Sequence, residues 1–181
     1  MIISIYGLSG SGKSTLAKKL QNTLPNAIHI DLDDLNRRLM DSDGVKSTAL
    51  LLFGEDVVNQ SKLDSKVILT QIMQDISKYN LWTSYMIDVC NNFLQKYIKK
   101  TSFDYYILDH LNSHKLGNFP YNTIYIECIL DKSARLLRLN KRENISETEL
   151  NFRDQHYHPH TPDIIYTNDN FDEIVDKIRN V

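Results

Sequence analysis

Residues 3–20 read ISIYGLSGSGKSTLAKKL, a stretch that changes character twice within its length. IISIY, residues 2–6, is a continuous run of apolar and small residues, the pattern of a strand buried on both faces. Gly7, Gly10 and Gly12 interrupt it. Leu16, Ala17, Leu20 and Leu24 then recur at helical spacing up to Pro25, which marks the helix end. A strand that passes through glycines straight into a helix is the first half of a parallel crossover. It needs strands on either side and helices over both faces of the sheet they form.

The remaining chain supplies those partners. AIHID (27–31), YYILD (105–109), TIYIEC (123–128) and DIIYT (163–167) read as four further short strands. Helical stripes lie between them: Leu69, Ile72, Met73 and Ile76, then Trp82, Met86, Val89, Phe93 and Tyr97. A polar helical segment spans roughly 131–156, and Phe171, Ile174, Val175 and Ile178 stripe a closing helix. The expected architecture is α/β in three layers, a five-stranded parallel sheet within one domain over 1–181. A helical insertion is expected over about 35–100 and a lid over about 135–160. Ligands bind such sheets at the carboxyl ends of the strands. Gly7, Gly10, Gly12, Asp31, Asp33, Asp109 and Asn168 all fall at or just after those ends.

Composition narrows the function classes. A formal net charge of -2 provides no global positive field for nucleic acid or an anionic membrane. No apolar run approaches the length of a membrane span and no targeting signal is read, so a cytoplasmic location is expected. Cys90 and Cys128 lie alone in apolar surroundings and read as reduced core residues.

Gly7-Leu8-Ser9-Gly10-Ser11-Gly12-Lys13-Ser14 matches G-x-x-x-x-G-K-[ST] in full, between a predicted strand and a predicted helix over 14–24. Glycines let backbone N–H groups turn around a β-phosphate with no Cβ in the way, and the helix directs its positive end at the same anion. Lys13 is expected to reach the β- and γ-phosphates, and Ser14 to join a Mg²⁺ shell. Ser9, Ser11 and Thr15 complete the expected ATP-binding set.

Phosphoryl transfer needs carboxylates near the acceptor and the metal, and cations over the moving group. HIDLDDL places Asp31, Asp33 and Asp34 where the second strand ends. Asp33 is read as the acceptor's base and as a Mg²⁺ organiser, and Asp34 as the cap of a helix over 35–40. Asp109 closes an apolar strand, where it would hold a water on Mg²⁺. Arg135, Arg138 and Arg142 share a helix face. Arg138 and Arg142 are assigned to a lid closing on the phosphates, whereas Arg135 fits solvated surface equally well. Ser146 is expected to cap a short helix, with Glu149 at the box position. His156, His158 and His160 flank Pro159 without a neighbouring cysteine or acidic pair, and read as a lid loop rather than a metal site.

GLSGSGKSTLA (7–17), IDLDDL (30–35), LLFGEDVVNQSKLD (51–64), DKSARLLRLNKRENISETELNFRDQ (131–155) and PDIIYTND (162–169) together resemble the dephospho-coenzyme A kinase family of P-loop proteins. The resemblance implies transfer of the ATP γ-phosphate to the ribose 3′-hydroxyl of dephospho-CoA. It implies a base at Asp33, lid cations at Arg138 and Arg142, and Asn168 in a loop around adenine. Four segments depart from the family: Ser65 in place of an arginine, no His-Pro pair in LWTSYMIDVCNNF, HLNSHKL (110–116) after the third strand, and HYHPH before Asp163. All four fall on acceptor and lid surfaces. A nucleoside or deoxynucleotide kinase of the same fold therefore stays open, since RDQ…PDIIYTND also resembles phage-type deoxynucleotide kinases. So does a nucleotide-binding module without turnover.

Overall fold

The computed structural model describes residues 1–117, 119–143, 145–167 and 169–181, the Glu143 side chain apart. Its elements sort into two compact units, residues 1–32 with 98–181, and residues 33–97.

The first unit is built on β1 (Ile2–Tyr6) and α1 (Lys13–Thr23), the strand and helix expected on either side of the glycines. β2 (Ala27–Asp31) follows. The two-residue hairpin strands β3 (Val58–Asn59) and β4 (Lys62–Leu63) belong to the other unit, so the sheet resumes with β5 (Tyr105–Asp109), β6 (Thr123–Cys128) and β7 (Ile164–Tyr166). The five sheet strands stand in the order β2-β5-β1-β6-β7, and every pairing is parallel. Central β1 is buried at all five positions, as its unbroken apolar pattern requires.

Alternation sends Ile3, Ile5, Ile107, Ile124, Ile126 and Cys128 to one face. There they meet Leu16, Ala17, Leu20 and Leu24 around α1, and Ile174, Val175 and Ile178 of α8 (Phe171–Arg179). Each fully buried aliphatic side chain contributes on the order of 1.5–3 kcal/mol, so this layer fixes the sheet beneath α1. The opposite face is partly polar. Ser4 and Ser113 share a buried hydrogen bond of 2.9 Å, and the Ser113 hydroxyl lies 2.8 Å from the carbonyl of Ile5. Cys90 and Cys128 are free, buried thiols.

After β6 the chain forms α6 (Lys132–Glu143) and α7 (Glu147–Gln155). Ser146 caps α7 by accepting from the Glu149 amide, at the position expected for it. The Glu149 carboxylate turns instead to Arg153, one turn along. Leu139, Ile145 and Leu150 bury between the two helices.

The second unit is helical: α2 (Leu32–Leu39), α3 (Asp43–Phe53), α4 (Ser65–Gln74) and α5 (Ile76–Lys100), whose last residues enter the first unit. Val45, Ala49, Phe53, Val57, Ile68, Trp82 and Met86 form its core, with Phe53 and Trp82 in edge-to-face contact at 5.4 Å. Two local expectations change. α2 begins at Leu32, directly after β2, so Asp34 lies inside the first turn and pairs with Arg37 and Arg38 rather than capping a helix over 35–40. The long helical stretch divides at Asp75, whose carboxylate accepts from the amides of Ser77 and Lys78 and starts α5 anew.

Candidate functional site

The site begins at the glycine turn after β1. Gly7, Gly10 and Gly12 adopt φ of 136°, 81° and 104°, values that L side chains rarely take. Space is short as well. A Cβ on Gly7 would lie 2.4 Å from the Cys128 carbonyl oxygen, and one on Gly10 would lie 3.0 Å from the Arg135 carbonyl oxygen. The loop therefore curls between β6 and α6 with no room for side chains at Gly7 and Gly10.

Gly12 precedes α1 and offers no side-chain cap. First-turn amides of any helix have no acceptor inside it, so Lys13, Ser14 and Thr15 head a helix whose positive end opens on the loop. The Lys13 ammonium bridges the loop, donating to the Leu8 carbonyl at 3.1 Å, and the Ser11 amide donates to the same oxygen at 3.2 Å. Ser11 Oγ is buried without a hydrogen-bond partner. A buried, unpaired hydroxyl beside the bend at Gly7 suits an anionic guest.

β5 ends at Asp109, and β2 ends at Asp31 directly opposite it in the sheet register. Asp109 is only 3% exposed and lies on the α1 face. Burial raises its pKa, but hydrogen bonds from His29 and Ser14, then the charges of His29 and Lys13, outweigh that and hold the carboxyl below its usual range. The Nε2 of His29 stands 2.7 Å from the carboxylate. Asp109 is thus an ionised, anchored carboxylate in contact with the Ser14 hydroxyl. Paired hard oxygens of this kind suit Mg²⁺.

The expected lid arginines divide. The guanidinium of Arg138 reaches toward the Gly10 carbonyl at 3.5 Å and is exposed, and Arg142 lies in the last turn of α6. Arg135, for which solvated surface was one expectation, is 2% exposed. It donates through one nitrogen to the Ser9 carbonyl at 3.1 Å and grips both carboxylate oxygens of Asp154 on α7 at 3.0 and 2.6 Å. Asp33 is exposed in the first turn of α2, in the other unit. Asn168 lies outside the described residues.

The histidine segment is anchored to the second face of the sheet. His160 stacks on His114 at 5.2 Å, and its ring meets Tyr125 edge-on at 4.5 Å. Tyr6 donates to the His160 carbonyl at 2.8 Å, while Asn112 bonds the backbone of His156 and His158. Among the described residues no group of three His, Cys, Asp or Glu side chains is placed to hold a metal.

Sequence reasoning did not single out His29 or identify Arg135 as a buried contact. The signal for His29 was its alternation with Asp31, which puts both on the strand face that carries Asp109. For Arg135 it was the one-turn separation from Leu139, a core residue.

A family model described as dephospho-CoA kinase (CoaE) matches residues 1–163. No curated protein sequence matches. Similar solved structures include a Thermus thermophilus protein at 18% identity and TM-score 0.75, covering 99% of this chain and 96% of that one. The dephospho-CoA kinase from Campylobacter jejuni matches at 14% identity and TM-score 0.57, over 99% and 95% of the two chains. A deoxyadenosine kinase from M. mycoides, solved with its products, matches at 15% identity and TM-score 0.55, over the full length of both. At these identities the structural likeness establishes the fold alone.

Proposed function

The chain belongs to the dephospho-CoA kinase family and is an ATP-dependent phosphotransferase, and from that premise we propose that its acceptor is the 3′-hydroxyl of dephospho-CoA. The observation that carries the phosphoryl chemistry is the glycine loop joined to Asp109 through Ser14. In the proposed reaction the acceptor oxygen forms a bond to the γ-phosphorus while the bond from that phosphorus to the β–γ bridging oxygen breaks, leaving ADP. Asp33 receives the proton of the acceptor hydroxyl. The loop amides and Lys13 hold the β-phosphate and meet the charge that builds on the leaving oxygen. Arg138 and Arg142 supply positive charge over the transferred group and exclude water. Ser14 and Asp109 would hold Mg²⁺, which when bound neutralises charge on the β- and γ-phosphates.

A nucleoside or deoxynucleotide acceptor is the second reading. It is favoured by Ser65, where the family has an arginine, and by LWTSYMIDVCNNF, which lacks the family's His-Pro pair.

One assay tests both. With saturating ATP and Mg²⁺, dephospho-CoA should yield CoA and ADP in equal amounts, while nucleosides and nucleoside monophosphates give little product. Turnover of a deoxynucleoside or its monophosphate, with dephospho-CoA inert, would move the assignment to the second reading. In the same assay Asp33→Asn should lower kcat at least a hundredfold while leaving ATP affinity nearly unchanged. An unaltered kcat would remove Asp33 from the chemistry.

A further inference from the structure

Arg135 is an unusual residue to bury. It forms a bidentate ion pair with Asp154, yet its Nε lies buried with no hydrogen-bond partner. Buried ion pairs are frequently no more stabilising than apolar side chains of similar size, and an unsatisfied donor worsens the balance. Stability alone is a poor reason for this arrangement.

Its third contact supplies a better one. The Arg135 guanidinium donates at 3.1 Å to the carbonyl of Ser9, inside the glycine loop. The chain has no cis peptide bond, and in a planar trans peptide the C=O and the following N–H point in opposite directions. Drawing the Ser9 carbonyl onto α6 therefore turns the Gly10 N–H away from α6. That peptide lacks rigidity of its own, because Gly10 has φ of 81° and no side chain to restrict it. The same α6 backbone closes over Gly10, with the Arg135 carbonyl oxygen 3.0 Å from where a Cβ would be.

We infer that Arg135, oriented by Asp154, is a positioning residue of the polyphosphate site: it fixes the Ser9–Gly10 peptide so that the Gly10 amide faces the bound phosphates. The inference rests on the nucleotide-binding reading above and extends it to two residues outside the glycine motif. Asp154 supplies the countercharge for a guanidinium otherwise stranded in the interior, and its two oxygens set the plane in which the fork meets Ser9.

Calorimetric titration of the full chain with inorganic tripolyphosphate and with ADP, in the presence of Mg²⁺, tests this. Tripolyphosphate isolates the phosphate cradle from the adenine contacts. Arg135→Gln should weaken both ligands by about ten- to a hundredfold, the loss of one charge-assisted hydrogen bond and its orienting effect. The KM for ATP should rise by more than kcat falls, since the amide holds a phosphate that does not move. Arg135→Lys, which keeps the charge and one donor, should recover part of the affinity. A folded Arg135→Gln protein with unchanged affinity for tripolyphosphate would overturn the proposal. Should Arg135→Gln fail to fold, Asp154→Asn decides: it keeps the shape and one acceptor, and a several-fold loss of tripolyphosphate binding supports the pair whereas wild-type affinity refutes it. A wild-type chain that binds neither ligand would defeat the nucleotide reading, and this inference with it. Binding by the wild type with no change in any variant would defeat the inference alone.

Discussion

Gly7 is held more tightly than Gly10 in the glycine loop. Its φ of 136° lies where an L residue is strained, and its missing Cβ would fall 2.4 Å from a backbone oxygen, that of Cys128. A backbone atom cannot rotate aside as a side chain can. Gly7→Ala should therefore cost about 2–4 kcal/mol of stability, read from the urea midpoint at unchanged slope. A loss below about 0.5 kcal/mol would mean that β6 yields and that the loop is less tightly held than its geometry indicates. The need for glycine here was legible in the motif. The identity of the opposing atom was not, because it comes from a strand more than a hundred positions away and no local pattern encodes it. Arg135 teaches the same lesson in reverse. Its spacing with Arg138 and Arg142 put three cations on one helix face, and only the packing of α6 against the loop separates the buried one from its neighbours.

Among the elements, the segment from His110 to Leu116 is one of the four departures from the family pattern, and here it forms a 3-10 turn over Ser113–Lys115 against the sheet. His114 within it is held neutral. Burial first, then the positive charges of His160, Lys115, His158 and His110, lower its pKa from 6.5 to about 4, with the ring of Tyr6 edge-on at 5.0 Å. The unfolded chain gains a proton at this residue below about pH 6.5, which the folded chain refuses until about pH 4. Stability should thus decline across that interval as the pH falls. His114→Phe keeps the ring stacking and removes the titration, so its melting temperature should fall less than that of the wild type between pH 6.5 and 4. Parallel melting profiles for the two proteins would refute the assignment. The strands were readable from apolar runs bounded by glycine, proline and aspartate. Helix boundaries were less so: α2 starts on the residue after β2, and α5 restarts on the carboxylate of Asp75. At α5 a single capping aspartate decided the matter, and aspartate is common enough in this chain that its spacing alone was ambiguous.

For the molecule as a whole, the order β2-β5-β1-β6-β7 brings the glycine loop, Asp31 and Asp109 to neighbouring strand ends, as a parallel sheet with ligands at its carboxyl edge requires. That convergence was foreseeable, since all three segments were recognisable as strands followed by polar residues. Which exposed helical residues face a ligand was not, because buried stripes describe a core and say nothing about the exposed side. The abutment of Cys128 on Gly7 ties the sheet's interior to the glycine loop. Burial pushes the Cys128 thiol up to about 12 and that of Cys90 to about 11, so neither offers appreciable thiolate to solvent at pH 8. An aromatic disulfide reagent should label both sulfurs at once in denaturant and only slowly in the native protein. Rapid native labelling of either would contradict the burial. A ligand seated in the loop should slow the modification of Cys128 in proportion to its occupancy, because the strand must part before the sulfur is reached. Cys128 is in that sense an internal clock, and its tempo reports how firmly a guest keeps the door of the sheet shut.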